Sequence, residues 1–247
     1  MMVAALYDIH GNLPALEAVL REVDGLGVDR LVVGGDVLPG PLQNEALDCL
    51  LACPIPTDFI RGNGEREVLA ERNGLESSVP ERFRAILRWS ADELGDDRAN
   101  AIGEWPETLS IEIPGLGAVL FCHATPRSDS EIFLRTTADD RVLPAFAGVK
   151  PGLVVCGHTH MQFDRQFGDW RVLNAGSVGM PYGRAEACWL LLGPSAELRR
   201  TSYDLADAAA RIRASSYPQA EEFAAREILN PMSEESAIEL FGRVEMK

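Results

Sequence analysis

The chain has 247 residues, 46% of them hydrophobic, which is enough for one large α/β domain with a sizeable core. Its formal net charge of -15 repels the phosphates of DNA and RNA, so a nucleic-acid partner is not expected. The sequence has neither a run of 18 apolar residues nor a basic and apolar leader, so we expect a cytoplasmic protein without a membrane partner.

The first 60 residues alternate between strand and helix. The apolar run VAALYD comes first, and Asn12 with Pro14 then begins a helix whose apolar residues recur at helical spacing. The run RLVVGGD, a helical segment from about Glu45 to Leu51 and the run TDFIRGN follow. This β-α-β-α-β order predicts a sheet with right-handed crossovers.

Residues 65–104 are predicted to be mainly helical, with one helix that begins at Pro80 and ends at Gly95. This segment is either an inserted cap over a site or an ordinary covering layer. From Leu109 onward the sequence changes to strands, which we expect to form a second sheet. The runs are LSIEI, AVLFCH, GLVVCGHTH, RVLNAGS and ACWLLLG, with a hairpin around Phe167 to Trp170.

The last part of the chain is again predicted to be helical. Asp204 can cap a helix together with Asp207, and alanine-rich segments with Glu and Arg follow. We therefore expect residues 1–203 to form one domain and residues 204–247 to be a helical extension packed on it. The five cysteines are an odd number, and we expect them to be reduced thiols of a cytosolic protein.

All four histidines stand where an apolar run ends: His10, His123, His158 and His160. A single histidine at the end of an apolar run would most often be a packing or loop residue. Four histidines that all stand at the ends of such runs indicate a common role. In extended chain, residues i and i+2 point the same way, so Asp8 and His10 could share one cation. The His-x-His pair in GHTH likewise places two imidazoles on one side of the chain, which suits a metal and not a dry core.

Oxygen donors follow two further strands. Asp36 ends GGD and Asn63 follows RG, and each in isolation would be a turn or helix-cap residue. With Asp8 and the histidines they make seven donors. One ion takes about three or four protein ligands, so two divalent ions sharing a carboxylate are expected. Nitrogen and oxygen donors without thiolate suit Mn, Fe, Zn, Co or Ni, with Mn as the first candidate.

The order of these motifs, D-x-H, GD, GN, H and GHTH, closely resembles the calcineurin-like metallophosphoesterase superfamily over about residues 3–193. The stretches IHGNLPALEAVL, GDVLPGP and NEALDCL resemble its small stand-alone bacterial and archaeal phosphoesterases, which are related to diadenosine tetraphosphatase. The resemblance implies an α/β fold, a four-layer α-β-β-α sandwich with the metals at the sheet edge, to which the helical C-terminal appendage is added.

The resemblance also implies which residues hold which ion. It gives three ligands to each ion and one bridge: Asp8, His10 and His160 to the first, Asn63, His123 and His158 to the second, and Asp36 between them. The stretch NAGSVGMP, residues 174–181, resembles the closing loop of this subgroup. Asn174 and Ser177 are therefore candidate substrate-binding residues, with turn formation as the alternative role.

The reaction implied is hydrolysis of a phosphate ester by a hydroxide that bridges two metal ions. Asp36 and Asn63 are candidate catalytic residues, together with Arg61 and Arg127, whose guanidinium groups could bind phosphate oxygens. Many members have a histidine after the Asn that is taken to protonate the leaving group, but here that position is Gly64. We therefore expect an acidic leaving group, or protonation by water or another residue.

The function expected is that of a metallophosphoesterase, a phosphodiesterase or phosphatase that acts on a small phosphorylated substrate. One alternative is a dinucleoside polyphosphate hydrolase or nucleotidase, which substrate profiling would separate. The other is a catalytically weak metal-binding scaffold of the same fold, which the glycine at position 64 keeps open. The sequence also leaves open whether the chain forms a homo-oligomer.

Overall fold

The computed structural model describes residues 1–75 and 79–246. Residues 76–78, inside the predicted helical segment 65–104, and residue 247, at the end of the predicted extension, lie outside the described residues. Two five-stranded sheets lie between helical layers. No helix of the described residues combines the length and the apolar character that crossing a membrane requires.

The first sheet contains the three N-terminal strands and two strands from late in the chain. Its order is β10 (Ala196–Thr201), β9 (Ala187–Leu192), β1 (Val3–Leu6), β2 (Arg30–Val33) and β3 (Thr57–Phe59). The N-terminal strands are parallel, as predicted, whereas β9 is antiparallel to β1 and pairs Leu192 with Val3. Placing the run ACWLLLG in the second sheet was therefore wrong. A wholly apolar run indicates a buried central strand but carries no information about its neighbour.

The second sheet is mixed in the same way. Its order is β4 (Thr108–Ile113), β5 (Gly117–Cys122), β6 (Leu153–Cys156), β8 (Trp170–Asn174) and β7 (Phe163–Phe167). Strands β5, β6 and β8 are parallel, and β4 and β7 flank them in antiparallel pairs. The predicted hairpin is confirmed, because Phe167 of β7 pairs with Trp170 of β8.

Alternation along β1 explains how the sheets stack. Val3 and Ala5 face the second sheet and join the apolar core between the two sheets, while Ala4 and Leu6 face the outer helices. These helices are α1 (Leu13–Leu26), α2 (Gln43–Leu51), α3 (Asn63–Arg72), α4 (Glu81–Leu94) and α5 (Asp96–Gly103). As predicted, the Asn12 side chain caps α1, and α4 lies between Pro80 and Gly95.

The outer face of the second sheet is covered by a shorter helical layer. It consists of α6 (Asp139–Val142) and a 3-10 turn (Leu143–Phe146), which pack with Phe133 against Val154 and Val172. The layers therefore run helix, sheet, sheet, helix, which confirms the predicted four-layer sandwich.

The chain after Thr201 is helical, with α7 (Leu205–Arg213), α8 (Ala220–Phe223), a π-helical segment (Ala224–Leu229) and α9 (Glu234–Gly242). The Asp204 carboxylate caps α7 by accepting from the amides of Ala206 and Asp207 at 3.0 Å. This extension shares an apolar cluster with Ile86 and Trp89 of α4. Helices α4 and α8 thus stand on the same side of the molecule.

Candidate metal centre

The carboxyl ends of the parallel strands bring the predicted donors together at one edge of the sandwich. Ligand atoms of Asp8, His10 and His160 lie within 4.8 Å of one another, and so do those of Asp8, Asp36 and His123. The Asp36 carboxylate belongs to the second group and also faces His10 of the first. Its Oδ2 is 3.7 Å from His10 Nε2, and its Oδ1 is 3.5 Å from His123 Nε2.

The backbone is strained where it carries these donors. Six described residues other than glycine have a positive φ, and five of them are predicted ligands: Asp8, His10, Asp36, His158 and His160, with φ between 45° and 66°. Each such residue costs roughly 1–3 kcal/mol, so the surrounding structure must hold it in place. Two bonds do so directly: His10 N donates to the Asp36 carbonyl at 2.9 Å, and His158 N donates to Asp8 Oδ2 at 2.8 Å.

A backbone carbonyl selects the tautomer of every histidine. Three of them donate through Nδ1, His10 to Pro39 O at 3.2 Å, His123 to Gly34 O at 2.8 Å and His160 to Met180 O at 2.8 Å. His158 uses its other ring nitrogen, because Nε2 and not Nδ1 donates to Ser130 O at 3.2 Å. In the neutral form of each histidine, the other ring nitrogen therefore carries the lone pair that a metal ligand needs.

The two carboxylates are buried, and they are held ionised by the imidazoles around them. Burial raises the pKa of Asp36, but the neighbouring His123 outweighs it and holds that pKa well below its usual range. Burial lowers the pKa of His123, but Asp36 and Asp8 outweigh it and raise that pKa to about 10. Asp8 Oδ1 is buried without a hydrogen-bond partner among the described residues. Its neighbours are His160 Nε2 at 3.4 Å and His123 Nε2 at 3.8 Å, an arrangement of carboxylate and imidazoles that suits a bound cation.

The surroundings of the Asn63 amide also suit a bound cation. One end of it faces three acceptors, His123 Nε2 at 3.1 Å, His158 Nδ1 at 2.9 Å and the Asp129 carbonyl at 3.2 Å. An amide NH2 would donate to them, whereas a cation among them would be bound by the amide oxygen and both ring nitrogens. All seven predicted donors are thus brought together, and the set fits cations bound by nitrogen and oxygen.

Glu65 is a part of the site that the motifs did not reveal. Its buried carboxylate accepts from the backbone amides of Asp36 at 2.8 Å, Val37 at 2.7 Å and Gly62 at 2.8 Å. Burial and the charge of Asp36 raise the pKa of Glu65 to about 7. Glu65 therefore ties the loop of Asp36 to the start of α3. A glutamate three residues after a helix N-cap was the available sequence signal.

Gly64 has a steric explanation. A Cβ added there would lie inside 3.0 Å of the Leu38 carbonyl oxygen and at 2.9 Å from Asp36 Oδ1. Its amide donates to that same Oδ1 at 2.7 Å. The loop of Leu38 thus occupies the space that a side chain at position 64 would need, and any side chain would push it away.

The remaining candidate residues lie around the donors. The Arg61 guanidinium pairs with Glu107 at 3.3 Å, and that of Arg127 pairs with Glu131 at 2.5 Å. Within the described part of the chain, neither arginine is among the side chains that line the cavity at the donors. Their binding to phosphate stays a prediction.

Asn174 and Ser177 hold the loops that carry ligands. Asn174 Nδ2 donates to the Gly157 carbonyl at 2.6 Å, just before the first histidine of GHTH. Ser177 Oγ donates to the Asp8 carbonyl at 2.7 Å and accepts from Met180 N at 2.7 Å. Both side chains are buried, so the structure gives them a positioning role. Their contact with substrate stays a prediction.

A cavity of about 470 Å³ opens beside the donors. His10, Asp36, Asn63, His158 and His160 line one part of it. Its other walls come from the α4 region and from the C-terminal extension, and include Val79, Phe83, Ile86, Leu87, Tyr217, Phe223 and Glu227. This is the size of a small-ligand site, and apart from the donors its walls combine apolar side chains with the charged side chains of Glu67, Glu222, Arg226 and Glu227.

The family comparison agrees with this arrangement. The model of the calcineurin-like phosphoesterase superfamily domain matches residues 1–195, which include all seven donors. An uncharacterized protein of Methanocaldococcus jannaschii is 25% identical over 248 residues, covering 88% of this chain and 94% of that protein.

Two solved structures share the fold over nearly the whole chain. A hypothetical protein from Pyrococcus horikoshii OT3 aligns with a TM-score of 0.76 and 21% identity, covering 94% of this chain and 99% of that one. A metallophosphoesterase from Sphaerobacter thermophilus aligns with a TM-score of 0.69 and 24% identity, covering 92% of this chain and 97% of that one. At such identities the alignments show the fold alone.

Proposed function

Since the chain belongs to the calcineurin-like phosphoesterase superfamily, and is therefore a metal-dependent phosphoester hydrolase, we propose that it uses two divalent ions to hydrolyse a small phosphodiester or phosphomonoester. The observation that carries this proposal is the convergence of seven donors, in which each histidine donates through one ring nitrogen to a backbone carbonyl and a buried carboxylate oxygen is left without a hydrogen bond among the described residues. Manganese is the first candidate for both ions, and Fe, Zn, Ni or Co would suit the same donors.

The geometry indicates which role each side chain has at the two ions. When bound, the ions would supply Lewis acidity and an activated water. Asp36, whose two oxygens face different histidines, is suited to bind both ions, and Glu65 holds its loop in place. Asp8, His10 and His160 would hold the first ion, and Asn63, His123 and His158 would hold the second.

The cavity favours a small ester over a dinucleoside polyphosphate. A polyphosphate chain needs several cationic side chains along its length. Among the described residues that line the cavity, Arg226 is the one arginine or lysine, and it pairs with Glu222 at 2.7 Å. A single phosphate at the donors, with its organic group against the apolar walls, fits this lining better. The five unpaired cysteines support the cytoplasmic location that we include in the proposal.

Metal titration tests the two-ion proposal. Protein stripped by a chelator would be reloaded with Mn²⁺ in steps and assayed on bis(p-nitrophenyl) phosphate. We expect activity to rise until two equivalents per chain are bound. Full activity at one equivalent would overturn the two-ion mechanism, and inactivity of the fully loaded protein on mono- and diesters would favour the scaffold alternative.

The leaving group provides a second test. No side chain fits at Gly64, so no acid can act from that position, and the rate should fall steeply as the pKa of the leaving group rises. A series of phosphodiesters with graded phenol and alcohol leaving groups measures this slope. A shallow slope would mean that another residue protonates the leaving group.

A further inference from the structure

We propose that the organic group of the substrate carries a positive charge and that Glu227 binds it inside the cavity. This inference rests on the proposed function, since it concerns the part of a phosphate ester that lies away from the metal centre. It selects one substrate class, the esters of phosphate with an amino alcohol or a quaternary ammonium alcohol.

The first argument is the charge balance of the cavity wall. Three glutamates line it, and two have cationic neighbours, Glu67 with Arg66 at 2.6 Å and Glu222 with Arg226 at 2.7 Å. The Glu227 carboxylate has neither a hydrogen bond nor an ion pair within residues 1–75 and 79–246. Among the described residues, Glu227 is thus the one glutamate of the wall that no cation contacts directly, and Arg226 and His160 act on it only from a longer distance.

The second argument is the environment of that charge. Glu227 is half-buried, and burial raises the pKa of its carboxyl group. A half-buried carboxylate that no cation contacts directly costs free energy that a bound cation would recover. An anionic organic group would instead be repelled, because this wall has no free cation among its described residues.

The third argument is the aromatic lining near this residue. Phe83, Tyr217 and Phe223 line the same cavity. Tyr217 contacts Phe223 edge to face with ring centroids 5.9 Å apart, and contacts Trp89 in the same way at 5.2 Å, so its ring is held in place. Aromatic faces attract alkylammonium groups, so a cavity lined by these rings and by Glu227 suits such a group.

Because of the position of Glu227, recognition of the organic group is assigned to the C-terminal extension. It lies in the π-helical segment Ala224–Leu229, beyond residue 195, where the family match ends. π-helical segments are rare and frequently occur at functional sites. The metal centre is thus built by the family domain, and the recognition of the organic group is added by the C-terminal helices.

Binding of a matched pair of probes tests the inference without any hydrolysis. Choline and its neutral isostere 3,3-dimethylbutan-1-ol would be titrated into the metal-loaded full chain and followed by ligand-observed NMR. We expect choline to bind about tenfold more tightly, and Glu227→Gln to remove the difference. Glu221→Gln is the control, because Glu221 is exposed and pairs with Arg213 at 2.7 Å outside the cavity. Equal binding of both probes to the wild type, or an unchanged preference in Glu227→Gln, would overturn the inference.

Kinetics separates this inference from the proposed function. The p-nitrophenyl phosphodiesters of the same two alcohols share one leaving group and differ only in the charge of the other group. We expect a kcat/KM ratio of about ten in favour of the choline ester, lost in Glu227→Gln. Equal hydrolysis of both esters would overturn the inference and leave the proposed function standing. Hydrolysis of neither, together with selective choline binding, would support the inference and overturn the proposed function.

Discussion

The metal centre and the wall of the cavity beside it are built in different ways. In the metal centre, backbone carbonyls orient each histidine, and a buried glutamate binds the loop of Asp36. In the wall, α4 and the extension are held by packing of apolar side chains around Ile86 and Trp89. Directed hydrogen bonds define positions sharply, whereas apolar packing tolerates changes of shape. Substitutions in the first region should alter metal content and rate, and those in the second should alter substrate binding.

The strongest test of this contrast is Asp36→Asn. We expect kcat/KM to fall by about 100- to 1,000-fold, because the side chain that faces both groups of ligands loses its charge. Steady-state kinetics on bis(p-nitrophenyl) phosphate, with metal content measured by plasma emission, is the assay. Arg127→Gln is the control and should cost less than about tenfold, since its exposed ion pair with Glu131 lies outside the cavity wall. Wild-type activity in Asp36→Asn would show that the bridge is misassigned.

The substitution Glu65→Gln tests whether the Glu65 carboxylate holds the loop of Asp36 in position. The neutral amide cannot accept as strongly from the amides of Asp36, Val37 and Gly62, so the loop should loosen. We expect metal affinity to fall by about 10- to 100-fold. Competition with a fluorescent chelator measures it. Glu107→Gln, which removes an exposed carboxylate, should leave the affinity unchanged. The same affinity in both variants would mean that Glu65 has no part in positioning the metals.

Gly64→Ala tests the steric account of the missing histidine. The new Cβ would overlap the Leu38 carbonyl oxygen, and we expect a loss of about 1–3 kcal/mol in the free energy of unfolding. Urea denaturation of the metal-free protein measures it. Gly103→Ala in α5 is the matched control, since its Cβ would meet nothing within 4 Å and alanine favours the helix. If Gly64→Ala were as stable as that control, the close approach of Leu38 would not explain the glycine.

The smallest effect is expected in the wall. Phe223→Leu keeps an apolar side chain but removes the ring, and KM for aryl esters should rise by about three- to tenfold with metal content unchanged. Leu229→Ala, at an exposed position of the same π-helical segment, should leave KM as it is. A drop in metal content in Phe223→Leu would show that wall and metal centre are one unit, against the contrast drawn above.

The convergence of the candidate metal ligands could be predicted from the sequence, because their chemistry is carried by residue identity. Histidine and aspartate directly after apolar strands indicate ligands, and the carboxyl ends of parallel strands meet at one edge. His158 and Glu65 show where this reasoning stops. His158 donates through Nε2 because the carbonyl of Ser130 lies beside that nitrogen. The spacing of residues in the sequence does not reveal this contact.

The sequence by itself determined the β-α-β-α-β start and the helix caps at Asn12 and Asp204, and it predicted the seven candidate donors. These features depend on local residue pattern or on the direction of successive strands, whereas the four layers were implied by the resemblance to the family. Tertiary structure decided that β9 joins the first sheet, that Leu38 fills the space beside Gly64, and that the extension lines the cavity. These features depend on contacts between elements far apart in the chain, where shape and packing select the partner and the local pattern does not.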